Sequence, residues 1–168
     1  TIWTANGTYQ NDVAGIGRDD KQALNQLQSK SINSDAIVTI GMNSIASSVA
    51  TNIGSFNTDQ SYLMWGNDSK TLTIPDLIDI GPTLNAETIE ARLQRIWLSE
   101  ETGTIGTVRV KYDLSELFGA NANNFSDARL LVDVDGVFAR YPLWLDNTWT
   151  DNTPIRPFSK TGRLHIGK

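Results

Sequence analysis

The chain has 168 residues, no cysteine, 14 basic and 19 acidic side chains, and a formal net charge of −5. That length buries a core without covalent staples, and 39% hydrophobic with 20% charged residues excludes wholesale disorder. The missing cysteines exclude disulfides, thiolate catalysis and cysteine-held zinc. The acidic balance, with no basic cluster, argues against nucleic acid as a partner. No apolar run approaches the ~20 residues of a membrane span, so membrane insertion is not expected.

Taken in order, residues 1–9 are short, with Ile2 and Trp3 as anchors and Asn6-Gly7 as a turn signal. Residues 11–20 (N-D-V-A-G-I-G-R-D-D) form the densest local feature. They read first as a tight loop in which Arg18 pairs with a carboxylate. Calcium held by Asp12, Asp19 or Asp20 is the alternative, because carboxylates clustered in a glycine loop suit a hard cation. A dinucleotide fingerprint is excluded, since the third glycine is absent.

Residues 20–31 read as a short helix after an aspartate cap, or as an exposed strand lined by amides. A β-branched run at 36–40 predicts a buried strand ending at Gly41. Residues 43–57 read as a long surface loop, and 62–66 as another strand turning at Asn67-Asp68 toward 71–73. The segment 74–93 is the least regular.

Residues 95–115 (R-I-W-L-S-E-E-T-G-T-I-G-T-V-R-V-K-Y-D-L-S) carry the strongest pattern. Val108, Val110 and Tyr112 alternate with Arg109, Lys111 and Asp113, the period of a strand with one buried face. With the apolar run Ile96-Trp97-Leu98 and the glycines Gly103 and Gly106 between, the expectation is a β-hairpin. A loop at 116–126, a strand over 130–138, a turn at Asp146-Asn147 and a closing strand over 162–166 complete the chain. The scattered C-terminal charges Lys160, Arg163 and Lys168 suit an edge strand. The fold class is therefore all-β: an antiparallel β-sandwich with long loops and one or two short helices at most, its topology open between jelly-roll and immunoglobulin-like. No internal repeat or domain boundary is visible over 1–168. A start at Thr1 suggests a module excised from a larger protein.

Few residues carry chemistry. Asp133 and Asp135 occupy alternate positions of an extended strand ahead of Gly136, so they can converge on one calcium ion; a bare turn is the simpler reading. His165 is the only histidine, flanked by Leu164 and Ile166, and reads as structural. Glu100 and Glu101 are adjacent on a strand and cannot flank one glycosidic bond. Trp3, Trp65 and Trp97 read as core, while Trp144 and Trp149, near a turn, are the candidates for stacking on a ligand.

The ordered motifs at 11–20, 24–33 (L-N-Q-L-Q-S-K-S-I-N), 38–41 (V-T-I-G), 63–66 (L-M-W-G), 95–108 and 130–136 (L-L-V-D-V-D-G) are similar to one family. The sequence resembles a domain of unknown function found in very large secreted bacterial proteins, often near laminin-G or concanavalin-like modules and type IX secretion sorting domains. The resemblance implies an exported β-sandwich module at the bacterial cell surface or beyond, with no established activity. It differs from the family in lacking further aspartates after L-L-V-D-V-D-G, which weakens calcium, and in lacking an apolar segment upstream of Thr1. An edge left unfilled there invites strand pairing with another chain. The expectation is thus a non-catalytic module with an adhesive or structural role, its partners neighbouring modules or surface glycans and proteins. A glycan- or peptide-binding module with calcium-shaped loops is the alternative.

Overall fold

A computed structural model of the chain describes residues 3, 7–73, 93–113, 115, 129–133, 143–144 and 161–167. Its strands are β1 (Asn11–Asp19), β2 (Leu24–Gln26), β3 (Gln28–Lys30), β4 (Val38–Met42), β5 (Ser61–Asn67), β6 (Trp97–Thr102), β7 (Val108–Tyr112), β8 (Arg129–Asp133), β9 (Leu143–Trp144) and β10 (Thr161–Gly167). They form two antiparallel sheets, one of seven strands in the order β2-β1-β5-β6-β10-β8-β9 and one of three in the order β3-β4-β7. The expected all-β, sandwich-like architecture is what the chain adopts.

Alternation places the core. Ala14, Ile16, Leu63, Trp65 and Trp97 from the larger sheet meet Ile40, Met42, Val108, Val110 and Tyr112 from the smaller one in a single buried cluster. Trp97 and Tyr112 touch edge-to-face across the layers, ring centroids 5.6 Å apart and planes at 78°. That geometry sets the positive edge of one ring against the negative face of the other.

Three expectations are corrected. First, β6 and β7 are not a hairpin: β6 pairs with β5 and β10, whereas β7 pairs with β4 in the other sheet. Alternation specifies a buried face; it does not specify which strand lies alongside. Residues 103–107 instead turn the corner between layers, with Gly103 at φ 76° and Gly106 at φ 90° in the left-handed region. Ile105 fills the corner, 3% exposed, and its amide donates to the Glu101 carboxylate at 2.8 Å.

Second, residues 11–20 are mostly strand β1, and their glycines serve close approach. Gly17 lies opposite Tyr62, and a Cβ there would stand 2.6 Å from the tyrosine ring. Third, of the two readings of residues 20–31 the helix gives way to the strand: Asp20–Gln22 is a single 3-10 turn, and strands β2 and β3 follow. Asp19 caps the turn, accepting the Gln22 amide at 3.2 Å, and Ala23 ends it at φ 51°. One smaller difference remains: β10 lies between β6 and β8 rather than at an edge.

Removing the corner plug leaves a cavity between the layers. Ile105→Ala should lower unfolding free energy by about 2–5 kcal/mol, read as a lower urea midpoint at unchanged slope.

Candidate functional site

Among the described residues, the sequence-predicted positions do not gather into one place. Asp133 lies in β8 and Trp144 in the adjacent β9; Asp135 and Trp149 lie outside the described residues. Trp65 and Trp97 are core, each 1% exposed. His165 sits in β10, opposite Leu131 of β8. Asp12 and Asp19 stand near opposite ends of β1, roughly 20 Å apart at the rise of an extended strand, so they cannot share an ion.

Asp12, Asp19 and Asp20 each have work within the chain. Asp20 takes a two-pronged grip from Arg18, Nε and Nη2 each donating at 2.8 Å. Asp19 accepts the Tyr62 hydroxyl at 2.7 Å besides capping the 3-10 turn. Among the described residues, no three histidine, aspartate or glutamate side chains converge as metal ligands would.

Asp12 is the centre of the most developed polar constellation. It occurs where β1 bulges, the pairing with β5 shifting between Asn11 and Ala14, and its φ of 51° is left-handed. Asp12 keeps the parity of the buried Ala14 and Ile16 and lies on their inward side, 7% exposed. Its Oδ1 accepts from Asn33 at 2.8 Å, and its Oδ2 from Asn67 at 2.5 Å and from Arg95 at 3.4 Å. Arg95, 6% exposed, spends its remaining donors on the Lys70 carbonyl at 2.6 Å, the Asp35 carbonyl at 3.2 Å and the Asp35 carboxylate at 3.0 Å. One guanidinium thereby joins β1, the β3–β4 loop, the segment after β5 and the approach to β6. All these groups are occupied, which is what a buried charge requires. Sequence reasoning saw Asp12 and missed Arg95. Their separation of 83 residues leaves no local pattern that would pair them.

A protein-family model described as a domain of unknown function, DUF8202, matches residues 1–154. The chain belongs to that family. The DUF8202 match takes in β1 to β9 and stops short of β10. No curated protein and no solved structure matches the chain. Among the described residues of this DUF8202 chain, no helix is long and apolar enough to cross a membrane.

Two measurements probe these contacts. Arg95→Met strands the buried Asp12 carboxylate and should cost about 3–5 kcal/mol of stability; adding Asp12→Asn, which removes the charge and tolerates the left-handed backbone, should recover part of it. The second concerns Tyr62, whose hydroxyl is pushed up to about 12 from 10.0, first by its hydrogen bond to Asp19 and then by desolvation. The unfolded chain releases this proton near 10 while the folded chain holds it to about 12. The stability this supplies is whole below pH 10 and declines as pH rises toward about 12. Tyr62→Phe should flatten that alkaline decline in urea titrations run between the two values.

Proposed function

We propose that this chain is a non-catalytic module of a large extracellular or bacterial surface protein, with an adhesive or structural role. The supporting observation is the use to which acidic side chains are put. Asp12 and Asp35 hold Arg95, Asp20 holds Arg18, and Asp59 accepts the amides of Asp20 and Gln60, each at 2.8 Å. Asp68 caps Ile96 at 3.1 Å, and Glu101 caps the corner at Ile105. A general acid or base needs a carboxylate free to face a substrate; these are committed to fastening loops onto a two-layer scaffold. Loops tied in this way present fixed surfaces, which suits a spacer or a docking module. The extracellular setting rests on the resemblance of the ordered motifs to a domain found in secreted bacterial proteins.

The test is a glycan and peptide array probed with the folded chain, with retention and cleavage products read together. Any ligand captured should be recovered intact, and thermal midpoints in calcium and in chelator should coincide if the loops are held by their own hydrogen bonds. Cleaved products would overturn the non-catalytic reading. A midpoint raised by calcium would favour instead a glycan- or peptide-binding module whose loops are shaped by the ion, with Asp133 and Asp135 the first positions to replace.

A further inference from the structure

We draw no further inference here: the strongest candidate, the uncharged stretch 43–58 of the loop between β4 and β5 with Val49 and Ile53 exposed on its surface, is an apolar patch, and nothing in the structure shows what covers it.

Discussion

The edge-to-face contact between Trp97 and Tyr112 is where the two sheets are tied, and the rest of the architecture follows from keeping it dry. Trp97 belongs to β6 and Tyr112 to β7, strands only five residues apart in sequence yet in different layers. For their rings to meet, the chain must leave one sheet at Thr102, turn at two glycines with positive φ, and enter the other sheet at Val108. Ile105 closes the corner this creates. Around the pair, Trp65, Ile40 and Val110 complete a continuous apolar interior. The sheets are thus held by burial of large side chains, the dominant favourable term in folding, and the strand order serves to bring those side chains into register.

Polar residues do a second job: they fix the loops that burial alone would leave loose. At one end the buried Asp12–Arg95 pair gathers loops from four parts of the chain. At the other, Arg18, Asp19, Asp20 and Asp59 stitch the 3-10 turn to the start of β5. Neither cluster leaves a group poised for proton transfer. Polar ties of this kind set the loops on the two-layer scaffold of a chain whose family is described as a domain of unknown function.

Much of the strand content was legible because burial on one face imposes period 2. Val108, Val110 and Tyr112 announced β7, and the β-branched run ending at Gly41 announced β4. The pairing was not legible, since alternation says which side chains are buried and nothing about which neighbour covers the backbone. That is why β6 and β7 read as a hairpin. Gly15 and Gly17 misled for a related reason: glycine suggests a turn by its conformational freedom, yet here Gly17 makes room for the Tyr62 ring within a strand. Of the polar constellations, Arg18 with a nearby carboxylate was visible because the partners are two residues apart. Arg95 with Asp12 was invisible because only the folded chain brings them together.

The central claim is that the two sheets form one cooperative structure through their shared interior, and native-state amide hydrogen exchange across a urea series tests it most directly. Amides of β4 in the smaller sheet and of β5 in the larger should exchange through the same global opening, with equal free energies and equal urea dependence. If the β4 amides instead exchanged through a smaller opening that left β5 protected, the layers would be separable and the account would be wrong.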